Sequence, residues 1–206
     1  MKSIKQDSYK GTRILLGNEK RNLINQMIEI LKANDYLEIQ IPIIQLDDIF
    51  KDKVGTENDN MMFRFKDRGN RNLCLAPEYT AIIQRLANGT MKQERDLKLF
   101  YVQECFRGEK PQAGRYRQFT QLGVEIINPK NSYNALNEVQ EIAWGLTTLS
   151  GLNCELNKDV SRGLDYYKNG EGFEISCESL GSSKQVCGGG IYDGGVGFAI
   201  GIDRLI

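Results

Sequence analysis

The chain has 206 residues, and its 40% hydrophobic and 26% charged residues are the composition of an ordinary folded domain. A mean hydropathy of −0.44 argues against a membrane protein, and 27 basic residues against 27 acidic ones exclude the binding of a polyanion through overall positive charge. The chain contains no histidine, which excludes mechanisms that need an imidazole base and metal sites that need histidine ligands.

The cysteines and the N-terminal sequence bear on the cellular compartment. No two of the five cysteines have C-x-x-C spacing, which argues against a zinc ribbon or a dithiol redox site. We therefore expect reduced thiols in a folded core. The first residues contain no apolar run of the kind found in signal peptides or membrane anchors, so we expect an intracellular, cytoplasmic protein.

The first half of the chain predicts two helices and short strands. Apolar residues at helical spacing predict a helix over residues 18–34. Residues 37–44 are typical of a strand interrupted by Pro42, which belongs at a sheet edge or an interface. The polar segment 47–60 predicts a mobile loop. A short strand over 73–75 then leads through Pro77, which suits a first helical turn, into a helix over about 78–87.

The second half predicts two long strands, a second amphipathic helix and a glycine-rich end. The strands cover about 97–106 and 119–127, with a polar hairpin between them, and the helix covers 132–150. The remainder of the chain contains residues 172–179, a glycine-dense turn region and the apolar segment 196–206. The fold class predicted from these elements is α+β, an antiparallel sheet flanked by helices, in one domain over residues 1–206.

The polar hairpin is the segment most suggestive of chemistry. Four cations lie within eleven residues and alternate with aromatic residues: Arg107, Lys110, Arg115 and Arg117, with Tyr116 and Phe119. On two antiparallel strands these cations would converge on one face, where guanidinium groups match phosphate oxygens and an aromatic ring can stack on a base. The alternative is a solvated hairpin with scattered charges.

Six segments, in order, resemble the catalytic domain of class II aminoacyl-tRNA synthetases, and within that class the histidyl-tRNA synthetase family. Residues 10–13 (Lys-Gly-Thr-Arg) look like the N-terminal signature of the family, and residues 35–42 are similar to motif 1, the dimerisation element. Residues 75–81 resemble its Leu-Arg-Pro-Glu-x-Thr segment, with Ala76 at the usual Arg. Residues 106–121 resemble motif 2, residues 162–167 the signature Arg-Gly-Leu-Asp-Tyr-Tyr, and residues 196–205 motif 3.

The resemblance implies activation of histidine by ATP and Mg²⁺ to histidyl-adenylate, for ligation to tRNA(His), in a homodimer. The residues implied at the ATP are Arg107, Glu109, Arg115, Phe119 and Arg204. The residues implied at the amino acid are Glu78, Thr80, Gln121, Glu125, Arg162, Tyr166 and Tyr167. Arg107 and Arg162 would be catalytic, at the α-phosphate and the reacting carboxylate. The resemblance implies no protein side chain that would bind Mg²⁺ in the absence of the nucleotide.

The chain departs from the family pattern at three places. Only residues 151–161 separate the second amphipathic helix from Arg162, where relatives carry an inserted helical domain that contacts tRNA. We also expect no anticodon-binding domain within residues 1–206, and Arg204 falls in the last turn. Ile191 stands where the family has an arginine, which bears on amino-acid specificity.

Two other functions stay open on the sequence. One is a non-catalytic, histidine-binding regulatory subunit of ATP phosphoribosyltransferase, although such relatives typically lose the motif 2 cations and the equivalent of Arg162, and this chain has both. The other is an amino-acid ligase acting on a carrier other than tRNA, which the zero net charge and the expected lack of RNA-binding domains favour.

Overall fold

The computed structural model describes residues 2–4, 9–110, 115–160, 167–180 and 184–206. The helices in these residues are α1 (Glu19–Ala33), α2 (Gly55–Asn60), α3 (Thr80–Asn88) and α4 (Ser132–Thr148), with short 3₁₀ helices at Asp47–Ile49 and Ile202–Arg204. The strands are β1 (Lys2–Ile4), β2 (Ile14–Leu16), β3 (Leu37–Glu38), β4 (Ile44–Leu46), β5 (Arg64–Lys66), β6 (Asn72–Leu75), β7 (Leu97–Phe106), β8 (Gln118–Ile127), β9 (Cys154–Val160), β10 (Tyr167–Cys177), β11 (Gln185–Tyr192) and β12 (Gly195–Gly201).

A seven-stranded sheet forms the centre of the molecule, in the order β3-β7-β8-β12-β11-β10-β9. Strand β3 is parallel to β7, and the other neighbours are antiparallel. Strands β4, β6 and β5 form a separate antiparallel sheet, and β1 pairs with β2. The predicted fold class, α+β with an antiparallel sheet and flanking helices, is confirmed.

Helices α1 and α4 cover one face of the large sheet. In α1 the buried residues Leu23, Ile24, Met27 and Leu31 recur at helical spacing, so a single apolar stripe faces the sheet. The helix stops where Asp35 adopts a left-handed φ of 65° and the Tyr36 amide donates to the Leu31 carbonyl. The core on this side includes Val124, Phe173 and Phe198 from the strands.

The other face of the large sheet is only partly covered, by α3 and the segment leading to it. A second apolar cluster, which includes Tyr79, Ile83, Tyr101 and Tyr192, lies on this side. Alternate residues of β7, β8, β11 and β12 point to this face because strand side chains alternate in direction. The residues at its uncovered part are therefore the ones available to a ligand.

Three predictions about local structure are wrong. The segment 47–60 is not a mobile loop, since it contains a 3₁₀ helix and α2 and buries Phe50 and Val54 as anchors. The glycine-dense stretch predicted as a turn is strand β11, at the interior of the sheet. Strand β9 was not predicted at all. Pro77 lies three residues before the first residue of α3 rather than in its first turn.

The expectation of reduced thiols is wrong for one pair of cysteines. Cys154 and Cys177 are directly opposite each other on β9 and β10 and form a disulfide. Cys74, Cys105 and Cys187 are free and buried. Among the described residues, no helix is both long enough and apolar enough to cross a bilayer.

Candidate active site

Three side chains form a buried polar cluster on the partly covered face of the large sheet: Glu78 just before α3, Thr80 at its start and Glu125 in β8. The Glu78 carboxylate accepts hydrogen bonds from the backbone amides of Thr80 (2.8 Å) and Ala81 (3.0 Å), which are among the free N–H groups at the start of α3. The Thr80 hydroxyl in turn donates to Glu125 Oε1 at 3.0 Å. Glu78 is 3% exposed and Glu125 is fully buried, so two acidic groups sit side by side out of water.

The pKa of Glu125 is raised to about 8. Burial is the main cause, and the neighbouring Glu78 charge acts in the same direction, whereas hydrogen bonds from Tyr192 and Thr80 lower the pKa. The Tyr192 hydroxyl lies 2.9 Å from Glu125 Oε2. Glu125 is therefore mostly protonated at pH 7 in the free protein, and a cationic or proton-accepting ligand can change that state.

Glycines on neighbouring strands make room for the large polar side chains of this cluster. Gly197 lies directly opposite Glu125, and a Cβ there would lie 1.7 Å from Glu125 Oε2. In the same way Gly123 faces the ring of Tyr101, and Gly195 faces the hydroxyl of Tyr192. Only glycine fits at these positions, because side chains lie flat across the strand where a Cβ would be.

Gln121 lies between this cluster and the cationic end of the sheet. Its Oε1 is 3.4 Å from both the Tyr101 hydroxyl and the Cys105 thiol. Burial raises the pKa of both groups well above their ordinary values, so both remain protonated and can donate. With its oxygen held in this way, Gln121 has its amide N–H groups for a ligand.

The residues predicted at ATP gather at the far end of β8. The Arg107 Nε donates to the Pro77 carbonyl at 2.9 Å, and its guanidinium lies 5.3 Å from the centre of the Phe119 ring. Arg115 and Glu109 form an ion pair at 3.5 Å. The pKa of Arg204 is lowered by its partial burial and by the charge of Arg115, with Glu109 opposing, which places these three residues together.

Strand β8 joins the two clusters. Phe119, Gln121 and Glu125 have the same parity and therefore point to the same face of the sheet. At about 3.4 Å per residue, Gln121 lies roughly 7 Å from Phe119 and about 14 Å from Glu125 along the strand. We call this strip of the sheet face the groove; it has cations and an aromatic ring at one end and buried carboxyl groups at the other.

Not every predicted residue joins this groove. Tyr167 does, since its ring packs edge-on against Tyr192 with centroids 6.4 Å apart. Arg162 and Tyr166 lie outside the described residues. Of the four hairpin cations, Arg117 is turned toward the N-terminal segment, where it donates to the Lys10 carbonyl and lies over the Tyr9 ring.

Position 191 does not face the groove. Ile191 is buried in the apolar core on the side covered by α1 and α4, and its neighbour Tyr192 points to the site. The replacement of the family arginine by Ile191 therefore changes the core behind the sheet rather than the wall of the groove.

Two groove residues, Tyr101 and Tyr192, were missed by the sequence analysis. Tyr192 had a usable signal, because it follows the glycines 188–190 that were singled out, in a segment compared with the family pattern. Tyr101 had none, since nothing in a strand sequence says which buried tyrosine points to a site and which to the core.

Comparisons with known proteins show the family to which the chain is similar. The family model described as histidyl-tRNA synthetase matches residues 17–153. A histidine–tRNA ligase of Archaeoglobus fulgidus is 28% identical over 98% of this chain and 76% of its own length, and one of Clostridioides difficile is 27% identical over 96% and 73%. The alignment with the A. fulgidus protein runs over 310 positions, at least 104 more than the 206 residues here.

Two solved structures have the same fold. Apo histidyl-tRNA synthetase of S. aureus superimposes with a TM-score of 0.73 at 28% identity, over 98% of this chain and 69% of that one. A protein described as an ATP phosphoribosyltransferase regulatory subunit/histidyl-tRNA synthetase, from Bacillus halodurans, gives a TM-score of 0.79 at 17% identity, over all of this chain and 83% of that one. With the family model matching two thirds of its length, this chain belongs to the histidyl-tRNA synthetase family.

Proposed function

We propose that this protein activates histidine with ATP and then ligates the activated histidine to tRNA(His). The observation that carries the proposal is the groove along β8, in which the buried Glu125 and the cationic end with Arg107 lie on one face, joined by Gln121. One end has the chemistry to hold an imidazole, and the other has the chemistry to hold a triphosphate.

The reaction needs no general base. The histidine carboxylate is ionised at neutral pH, and its oxygen attacks the α-phosphorus of ATP. A new carboxyl–phosphorus bond forms, and the bond from the α-phosphorus to the bridging oxygen breaks, which releases pyrophosphate. The obstacle is the approach of two anions, so the residues act by positioning and by neutralising charge.

At the nucleotide end, each role follows from the chemistry of the group. The Arg107 fork would hold the α-phosphate, while Arg115 and Arg204 would neutralise the distal phosphates and Phe119 would stack on adenine. Glu109, which already pairs with Arg115, would fix that guanidinium and position the adenine.

At the amino-acid end, the acidic groups take the cationic parts of histidine. Glu78 and Thr80 would hold the α-ammonium group, and Gln121 would donate to the carboxylate through its amide. Glu125, Tyr192 and Tyr167 would surround the imidazole. Arg162 and Tyr166 keep the roles that the sequence predicts for them, at the reacting carboxylate and at the imidazole.

Mg²⁺ would arrive with the nucleotide. In the described part of the chain, no group of three acidic or cysteine side chains is placed to hold a metal ion. Phosphate oxygens are the usual principal ligands of Mg²⁺ in sites that bind nucleotides. The ion supplies positive charge at the triphosphate, which adds to that of the arginines.

We further propose that residues 1–206 form one catalytic domain without the inserted domain of the relatives, and that two copies associate. The length of the A. fulgidus alignment supports the first point. The second is supported by the outer face of the small sheet, which bears the apolar side chains Ile44, Leu46, Leu73, Leu75 and Phe65. Cytoplasmic localisation stays a prediction. The Cys154–Cys177 disulfide means that the expectation of reduced cysteines no longer supports this prediction.

Isotope exchange between pyrophosphate and ATP tests the function. Purified protein without tRNA should catalyse exchange that depends on histidine and on none of the other nineteen amino acids, and addition of tRNA(His) should then yield charged tRNA. Absence of exchange from folded protein would overturn the proposal. If exchange is absent, calorimetry that detects histidine binding without ATP binding would identify a regulatory subunit. If exchange occurs but tRNA(His) is not charged, the protein would instead be a ligase for another carrier.

A further inference from the structure

The N-terminal segment Lys10–Arg13 has no role in the chemistry above, yet it is bound against the nucleotide end of the groove. The backbone amide of Arg117 donates to the Gly11 carbonyl at 2.7 Å, and the Arg117 side chain donates to the Lys10 carbonyl at 3.0 Å. The same guanidinium lies 4.8 Å from the centre of the Tyr9 ring. The segment is thus attached to the chain that leads into β8.

Arg13 connects this segment to two separate parts of the site. Its Nη2 donates to Asp203 Oδ1 at 2.7 Å and to the Asp203 carbonyl at 3.2 Å. Its Nη1 donates to the Tyr116 hydroxyl at 3.1 Å, and its guanidinium carbon lies 4.1 Å from the centre of that ring. The Arg13 side chain is 15% exposed and that of Asp203 is 6% exposed, so water competes little for these bonds.

Asp203 is the centre of this network. Besides Arg13 it accepts hydrogen bonds from Lys20 Nζ at 3.0 and 3.2 Å and from the backbone amide of Thr120 at 2.5 Å. Both of its oxygens are therefore engaged: Arg13 donates to Oδ1, the Thr120 amide of β8 donates to Oδ2, and Lys20 donates to both. The 3₁₀ helix Ile202–Arg204 is fixed to both.

The two contacts of Arg13 adjoin the two distal-phosphate arginines. Asp203 directly precedes Arg204, and Tyr116 directly follows Arg115. Arg115 and Arg204 carry like charges, and the Arg115 charge adds to burial in lowering the pKa of Arg204. Two guanidinium groups that bind the same triphosphate repel each other, so neighbouring groups must hold them at the required spacing.

We propose that Arg13 is a positioning residue for ATP, which holds Arg115 and Arg204 at the spacing that the triphosphate requires. The proposal rests on the proposed function, because it concerns the same groove. It assigns to the Lys10–Arg13 segment a task that is specific to the nucleotide and does not involve the amino acid.

Steady-state exchange kinetics on variants test this role. Arg13→Ala removes both contacts and should raise the KM for ATP about tenfold, in line with the loss of a charge-assisted hydrogen bond, while the KM for histidine stays within twofold. Arg13→Lys keeps the charge toward Asp203 and should recover part of the loss. The matched control is Arg21→Ala, which removes an exposed guanidinium from the nearby helix α1 and should change neither constant.

Further variants keep the test decisive. Asp203→Asn and Arg13→Ala should raise the KM for ATP by less in the double variant than the sum of their separate effects, because both substitutions weaken the Arg13–Asp203 ion pair. Tyr116→Phe removes only the hydroxyl and should raise the KM for ATP about threefold even if Arg13→Ala fails to fold. Equal changes in both KM values, or none, in an active protein would overturn the positioning role. Absence of exchange in the unsubstituted protein would instead overturn the proposed function.

Discussion

In the proposed histidine complex, the buried Glu125 carboxyl group and the imidazole would share one proton, which would set how histidine binding depends on pH. Free Glu125 has a pKa of about 8, and a free imidazole has a pKa of about 6.5. Between those values Glu125 is protonated and the ligand is neutral, so the pair already holds the single proton that a hydrogen bond between them needs. Below this window binding must release a proton, and above it binding must take one up.

We therefore expect kcat/KM for histidine to be bell-shaped, with its upper limb near pH 8 and its lower limb near pH 6.5. Glu125→Gln should remove the upper limb, because an amide does not titrate, and should lower kcat/KM about 100-fold at pH 7. Exchange rates at subsaturating histidine from pH 5.5 to 9 measure both effects. Glu141→Gln, an exposed substitution on α4, is the control and should leave the profile unchanged. An unaltered upper limb in Glu125→Gln would show that another group titrates there.

The family motifs predicted several residues of the groove, but they did not predict which residues of the neighbouring strands face it. Thr80, Gln121 and Glu125 were predicted by matching the family pattern, and all three face the groove. The side on which Ile191 lies was not predictable, because it depends on strand register, and a shift of one residue would exchange Ile191 with Tyr192. The neighbours of Arg13 were equally hidden, since Tyr116 and Asp203 are 103 and 190 residues away along the chain.

At the scale of elements, the glycines of β11 and β12 lie in strands, whereas their local sequence suggests a turn. A cluster such as 188–190 is typical of a turn, because glycine lowers the stability of strands. The structure places it in the sheet interior, where neighbouring strands leave little space: a Cβ on Gly189 would lie 2.4 Å from the Gly197 carbonyl. Long-range packing thus overrides local preference here. The helices α1, α3 and α4, whose apolar periodicity is local, were predicted to within two residues at either end.

Gly197→Ala tests whether the sheet glycines are required by close packing. The new Cβ would lie 1.7 Å from Glu125 Oε2 and 2.5 Å from the Val124 carbonyl, so Glu125 and the backbone must both move. We expect a loss of about 2–3 kcal/mol in the free energy of unfolding, and a weaker affinity for histidine. Urea denaturation and calorimetry measure these two quantities.

The matched control is Gly145→Ala, at an exposed position of α4 where an added Cβ meets nothing within 4 Å. This substitution should raise the free energy of unfolding by about 1 kcal/mol, since alanine favours a helix over glycine. If Gly197→Ala also raised the free energy of unfolding, position 197 would have room for a side chain, and the packing explanation would fail.

At the scale of the whole molecule, the outer face of the small sheet is an exposed apolar surface that has no role within a single chain. Register places Ile44 opposite Leu75, and Leu46 and Phe65 on either side of Leu73. Ile44 is 55% exposed, and Leu46 and Phe65 are each 40% exposed. A contiguous apolar face of this kind is unfavourable in water and is typical of an interface. Motif 1 predicted a dimer from residues 35–42, and this face begins at the next strand along the chain.

The proposed homodimer can be tested on this face with a single charge. Ile44→Glu would place a carboxylate inside the interface without a partner, and the cost of several kcal/mol should raise the dimer dissociation constant at least 100-fold. Sedimentation velocity at micromolar concentration should show a dimer for the unsubstituted protein and a monomer for Ile44→Glu. Leu149→Glu, which charges a 37% exposed leucine beyond the end of α4, should remain dimeric. A stable monomer of the unsubstituted protein with full exchange activity would contradict the dimer, and the face would then have to be covered by another partner.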